Sequence, residues 1–225
     1  MFTGNFKYFF LFSLIIIIHE LGHVLAALYY KWEIDRVILL PFGALTIFNE
    51  KINRPLFEEF IILIMGPIFQ IVFTFLFFRN NVIAFDYSLS ILFFNLLPIY
   101  PLDGSKLLNI CLNKVISFKK SHLITLYVSI FIILFILFKV KFNLILILIF
   151  VFIGVKTILE IVDHKNIFNK FLLERYIYNF DLKKEKTVRN CNNMKRDYRH
   201  LFYVNGEYKT EKDFLKKMFD FKGKM

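Results

Sequence analysis

Only two cysteines occur in the 225 residues, Cys111 and Cys191, and they share no Cys-x-x-Cys spacing. Neither a disulfide framework nor a thiolate zinc site is suggested. Acidic residues are nearly absent from the middle of the chain: between Glu59 and Glu160 only Asp86 and Asp103 occur. No segment repeats internally, which argues against a transporter built from inverted repeats. No low-complexity linker separates the parts. The first apolar run is too long for a signal peptide and has no convincing small-residue cleavage site, so it reads as a retained span. The chain carries a basic surplus but no recognised nucleic-acid-binding motif, so no nucleic-acid partner is expected.

What is abundant is apolar. Hydrophobic residues make up 57% of the chain and aromatics 19%, with a mean hydropathy of +0.57. That composition belongs to an integral membrane protein and not to a soluble domain. The net charge of +11 is unevenly placed: from His164 onward there are sixteen Lys and Arg against eight Asp and Glu, so +8 lies in the tail. A basic surplus directly after a last span indicates a cytosolic tail, and it also attracts anionic headgroups.

One stretch carries chemistry. Within the apolar run 8–30, long enough to cross a bilayer at roughly 20 residues per span, stands His19-Glu20-Leu21-Gly22-His23. On a helix, residues four apart share a face, so His19 and His23 can both reach one Zn²⁺. Glu20 is then placed to take a proton from the attacking water, as in the HExxH pattern of zinc proteases. A purely structural role would leave two imidazoles and a carboxylate unsatisfied at lipid depth, costing on the order of a few kcal/mol each. A metal satisfies all three.

Further spans are expected at 57–78, 87–100, 122–138 and 142–162, the last two forming a helical hairpin across residues 139–141. The fold class is an all-α polytopic membrane protein of about five spans, N-terminus outside and C-terminus inside. Residues 37–48 are too short to cross as a helix and contain Pro41 and Gly43, so they read as a re-entrant loop or short hairpin. Gln70, in the second span, reads as an interhelical hydrogen bond in preference to a chemical role. Residues 1–163 form the membrane core and 164–225 a small basic α+β tail. Within the tail, 168–178 reads as an amphipathic surface helix and 182–199 as a linker. A hairpin about Asn205-Gly206 and a helix over 211–221 follow.

A catalytic zinc takes three protein ligands and leaves a fourth position open. The third ligand is expected to be Asp103, where Pro98 and Pro101 unwind the chain; Asp86 falls on the outer side, at the wrong depth. His122 and His164 sit at span boundaries, where interfacial or loop roles are expected, and His200 has no assigned role.

HExxH in one span with Asn95-Leu-Leu-Pro-Ile-Tyr-Pro-Leu-Asp103-Gly104 in a later one resembles the site-2 family of intramembrane zinc proteases. Leu39-Leu-Pro-Phe-Gly43, residues 53–60, Gly66-Pro67 with Gln70, residues 95–104 and residues 171–176 make the resemblance closer still to the sporulation branch. The resemblance implies that His19, His23 and Asp103 hold one catalytic Zn²⁺ and that Glu20 is general base and later acid. It also implies that Asn95 positions substrate and that residues 37–48 steer an extended substrate segment. For that branch it implies a membrane-associated substrate, the sigma-factor precursor pro-sigma-K, and inhibitory membrane partner proteins. The location implied is the bacterial cytoplasmic membrane or the membrane surrounding the forespore, with homo-oligomerisation left open. Members of the branch carry a further span before the HExxH helix and a C-terminal CBS-type domain that senses ATP. Here only a ββα fragment of such a domain is expected. The alternatives are a general site-2 protease acting on anti-sigma factors or signal-peptide remnants, and a non-hydrolytic zinc scaffold. The absence of a PDZ insertion disfavours the former, and Glu20 the latter.

Overall fold

The computed structural model describes residues 2–40, 43–48, 51–139, 144–182, 184–204 and 206–222. Among the described residues four helices are long and apolar enough to cross a membrane: α1 (Phe2–Tyr29, its apolar part Lys7–Tyr29), α2 (Leu56–Phe77), α5 (Phe118–Lys139) and α6 (Leu144–Ile177). Between them lie a shorter apolar helix, α3 (Val82–Asn95), and an amphipathic one, α4 (Asp103–Val115). Large apolar side chains stand on the outside of these helices, Phe131 at 70% and Leu76 at 72% exposure among them. Water would make so extensive an apolar exterior unfavourable, whereas lipid does not. The chain is a multi-pass membrane protein.

The third expected span ends early. Its helix covers 14 residues and stops at Asn95. Beyond it, Pro98 and Pro101 lack the backbone N–H that a continuing helix requires, and the Tyr100–Pro101 bond is cis.

The chain divides into two compact units. The first comprises Met1–Glu50, Phe57–Pro98 and Leu102–Leu107. In it Ile15 and Ile16 of α1 pack with Ile91 of α3, while Phe78 and Tyr87 flank them. The expected hairpin at 37–48 is an antiparallel pair, β1 (Ile34–Leu40) and β2 (Gly43–Phe48), in register from Leu40 opposite Gly43 to Arg36 opposite Ile47. Pro41 lies outside the described residues. Strand β2 lies beside α1.

The second unit comprises Lys51–Leu56, Ile99–Pro101 and Leu108–Met225. Helix α6 runs unbroken for 34 residues, so the separate surface helix expected at 168–178 is its last part. The change to polar composition around His164 contains neither Gly nor Pro, and polarity alone does not end a helix. Arg175 lies buried in that last part. Its Nε donates to Asn53 Oδ1 at 2.5 Å, and its terminal nitrogens donate to the carbonyls of Tyr198 and Lys195, each at 3.1 Å. Asn53 Nδ2 donates in turn to Glu174 Oε2 at 3.0 Å. These polar groups are buried but paired, as burial requires.

His122 and His164 are not loop residues. Their rings stack at 5.3 Å between α5 and α6, and His164 is only 5% exposed.

The tail holds a three-stranded sheet, β3 (Lys184–Val188), β4 (Tyr198–Val204) and β5 (Glu207–Thr210), followed by α7 (Glu211–Lys222). The β4–β5 hairpin and α7 match the expected ββα unit. The turn residue Asn205 lies outside the described residues, while Gly206 takes the positive φ of 85° that such a turn demands. Strand β3, parallel to β4, lies where a linker was expected. Its sequence Lys-Glu-Lys-Thr-Val buries only Val188 and therefore carries no alternating signal.

Candidate functional site

His19 and His23 lie on one face of α1, 1% and 4% exposed, and α2 covers them. The two helices meet through glycines. A Cβ on Gly22 would overlap the Met65 carbonyl, and a Cβ on Gly66 would overlap the His23 ring itself. Small residues let backbones approach at this crossing, which seats His23 directly under Gly66.

Each histidine is held through Nδ1. His23 Nδ1 donates to the Ile62 carbonyl at 2.8 Å, which can only accept. His19 Nδ1 lies 2.7 Å from Gln70 Oε1. The orientation of that amide is fixed from the other side, because Gln70 Nε2 donates to the Ser88 carbonyl at 2.7 Å. Gln70 therefore presents its oxygen, and His19 donates. Thr74 extends the network, its hydroxyl 2.6 Å from Ser88 Oγ. An imidazole held this way, when neutral, carries its proton on Nδ1 and leaves Nε2 as a bare lone pair.

Those two lone pairs converge. His19 Nε2 and His23 Nε2 are 3.1 Å apart, and Asp103 Oδ2 lies 3.0 Å from the first and 3.1 Å from the second. Three acceptors facing one another repel unless a cation or proton sits among them. The set of two imidazoles and one carboxylate, each nitrogen backed by an acceptor on its far side, is the donor chemistry of a zinc centre with oriented ligands. The Glu20 carboxylate completes the group: one ligand atom each from His19, Glu20 and His23 lie within 4.8 Å of one another.

Asp103 reaches this point because it opens α4 immediately after the unwound segment, at the helix end that favours an anion. Gly104 behind it leaves no room for a side chain against the Leu96 and Leu97 carbonyls. Asn95, the last residue of α3, brings Nδ2 to 3.5 Å from His19 Nε2. Lys106 Nζ lies 3.7 Å from Asp103 Oδ1.

All five expected residues, His19, Glu20, His23, Asn95 and Asp103, therefore meet in the first unit. Asp86, set aside on depth, lies in α3, where its carbonyl accepts from Ser90 Oγ at 2.8 Å. Gln70 does make an interhelical bond, yet to His19, so it also supports the site. Gly66 gives the close helix contact that a glycine within an apolar span suggests, but its place over the His23 ring was not foreseen, and nothing in the sequence hinted at Ser88.

A multi-pass membrane protein with an HExxH helix, an Asp that opens a helix just after an unwound segment and buried supports for each imidazole defines a narrow class. The match to known proteins agrees: residues 7–85 and 79–137 correspond to Peptidase family M50. The chain belongs to that family, which is the family of the site-2 proteases.

Among curated relatives, it is 40% identical over 188 residues to the stage IV sporulation protein FB of Bacillus subtilis, covering 77% of this chain and 65% of the relative. It is 28% identical over 167 residues to a zinc metalloprotease of Methanocaldococcus jannaschii, covering 68% of this chain and 49% of the relative. The chain thus spans about half to two thirds of the length of these relatives. Among solved structures, the site-2 protease from Methanocaldococcus jannaschii superposes with a TM-score of 0.52 at 29% identity, over 68% of this chain and 76% of that one.

Proposed function

We propose that the chain is an intramembrane zinc endopeptidase in which His19, His23 and Asp103 hold a single Zn²⁺ and Glu20 is the general base. The observation that carries this reading is the convergence of two Nε2 lone pairs and one carboxylate oxygen within 3.0–3.1 Å of one another. When bound, zinc polarises the scissile carbonyl and lowers the pKa of water toward ~7. Glu20 takes a proton from the attacking water and later hands it to the leaving amine. Asn95, with its donor 3.5 Å from His19 Nε2, hydrogen-bonds the carbonyl oxygen as charge develops there.

A peptide bond inside a helix has its carbonyl already hydrogen-bonded, so the substrate must be extended before attack. Among the described residues the β1–β2 sheet has two strands, to which an extended segment could add a third. Pairing there would hold a substrate segment extended beside α1.

The relative from Bacillus subtilis is named for sporulation, and the 40% identity to it supports processing of a pro-sigma-K-type precursor. On this reading the enzyme sits in the bacterial cytoplasmic membrane or that surrounding the forespore. Its basic tail is cytosolic, and inhibitory membrane proteins hold it silent.

The test is co-expression with a pro-sigma-K-type precursor and, separately, with a membrane-bound anti-sigma segment, with zinc quantified in the purified protein. One zinc per chain and cleavage of the first substrate alone is the expected result. Cleavage of the second alone would move the enzyme to general site-2 proteolysis. A zinc-free protein that cleaves neither would overturn the reading.

Gln70 offers a second check. Gln70→Leu removes the acceptor behind His19 and is expected to weaken zinc binding about 10- to 100-fold. Gln70→Glu, which still accepts, should retain most of the affinity. Chelator competition on the purified protein distinguishes the two, and equal loss in both would reduce Gln70 to packing.

A further inference from the structure

The second unit contains a basic hollow of about 370 Å³ at the start of α5. Ser117 and Lys120 line it from the α4–α5 corner, and Lys186, Arg189 and Lys195 line it from the tail. Among the described residues no acidic side chain lines it.

Ser117 occupies the N-cap position of α5, since Ser121 N donates to its carbonyl at 2.9 Å, the first bond of the helix. A serine there ordinarily accepts from an amide of the first turn. This one does not: its hydroxyl is buried without a hydrogen-bond partner, in a residue 6% exposed. The Phe118 amide is satisfied by the Met194 carbonyl at 3.0 Å. The next two amides, of Lys119 and Lys120, have no partner four residues back within the helix. Two first-turn amides of a 22-residue helix thus lie beside a buried hydroxyl that has no hydrogen-bond partner.

The surrounding cations crowd one another. Lys195 Nζ donates to the Val115 carbonyl, and burial followed by the charge of the nearby Lys186 holds its ammonium below the usual lysine range. Two ammonium groups side by side repel unless an anion lies between or beside them. Depth selects the kind of anion. Phe118 is the first residue of a candidate span, so Ser117 precedes the membrane segment and Lys120 lies in its first turn. That is the level of lipid headgroups.

We propose that this hollow binds the phosphate of an anionic phospholipid headgroup. Ser117 Oγ and the first-turn amides of α5 donate to it, and Lys120, Lys186 and Arg189 balance its charge. A helix N-terminus is suited to a phosphate, and basic residues at the membrane surface favour anionic lipid.

The full chain in detergent, titrated with phosphatidylglycerol and followed by native mass spectrometry, tests the site. Combining Lys120→Gln, Lys186→Gln and Arg189→Gln should weaken lipid binding by about tenfold or more. Lys212→Gln, Lys216→Gln and Lys217→Gln remove the same charge from the exposed face of α7 and should change it far less. Ser117→Ala alters no charge and should weaken binding by roughly tenfold through the lost donor. Equal loss in the two triple variants would mean diffuse attraction and overturn the site, as would unchanged binding in Ser117→Ala. Full displacement of the lipid by an equal concentration of glycerol phosphate would make a soluble phosphate the ligand and overturn the lipid assignment.

Discussion

Glu20→Gln is expected to lower peptide-bond cleavage by roughly 10²- to 10⁴-fold, the usual worth of a positioned general base, while zinc content stays that of the wild type. The substitution keeps the size and shape of the side chain and changes only its ability to take a proton. Glu20 follows His19 in α1 and lies within 4.8 Å of the two imidazole nitrogens, yet neither Asp103 nor Gln70 relies on it for its bond to a histidine. The ligand set should therefore survive its neutralisation. The measurement is cleavage of a co-expressed substrate in both proteins, with zinc determined by elemental analysis. Loss of cleavage together with zinc would make Glu20 a structural support of the centre. Equal cleavage by both proteins would remove it from the chemistry altogether.

What could be read in advance follows from what each feature costs. Ionisable residues at lipid depth are expensive, so His19, Glu20 and His23 stood out as functional before any geometry was known. Asp103 followed by elimination, because the apolar middle offers only one other carboxylate, Asp86. The supports were harder to see. Gln70 was recognisable as an interhelical bond, but pairing it with His19 requires knowing that α1 and α2 cross at Gly22 and Gly66, which no periodicity encodes. Ser88 contributes mainly its carbonyl, and a backbone group leaves no mark on sequence. In the tail, β3 was missed because four of its five residues are exposed and charged or polar. The unbroken α6 was missed because a change of composition was taken for a change of structure. Sequence announces costly side chains and says little about backbone partners.

Gly66→Ala should abolish the centre although alanine is the better helix former. In an exposed helix interior that exchange gains up to about 1 kcal/mol. Gly154 in α6 illustrates the permissive case: a Cβ there meets nothing within 4 Å, so Gly154→Ala should be neutral or slightly stabilising. At Gly66 the new methyl would fall on the His23 ring, 2.8 Å from Cδ2 and closer still to Cε1 and Nε2. Neither side can yield cheaply. The glycine backbone is locked in α2 against Gly22, and the imidazole is tethered at 2.8 Å to the Ile62 carbonyl one turn earlier on that same helix. His23 must swing away, which breaks that bond and carries Nε2 out of reach of His19 and Asp103. Zinc content should fall to background and cleavage with it, while circular dichroism of the purified protein retains its helical signal. A Gly66→Ala protein that keeps both zinc and activity would show that His23 holds the metal from another position, and the three-ligand arrangement would have to be redrawn.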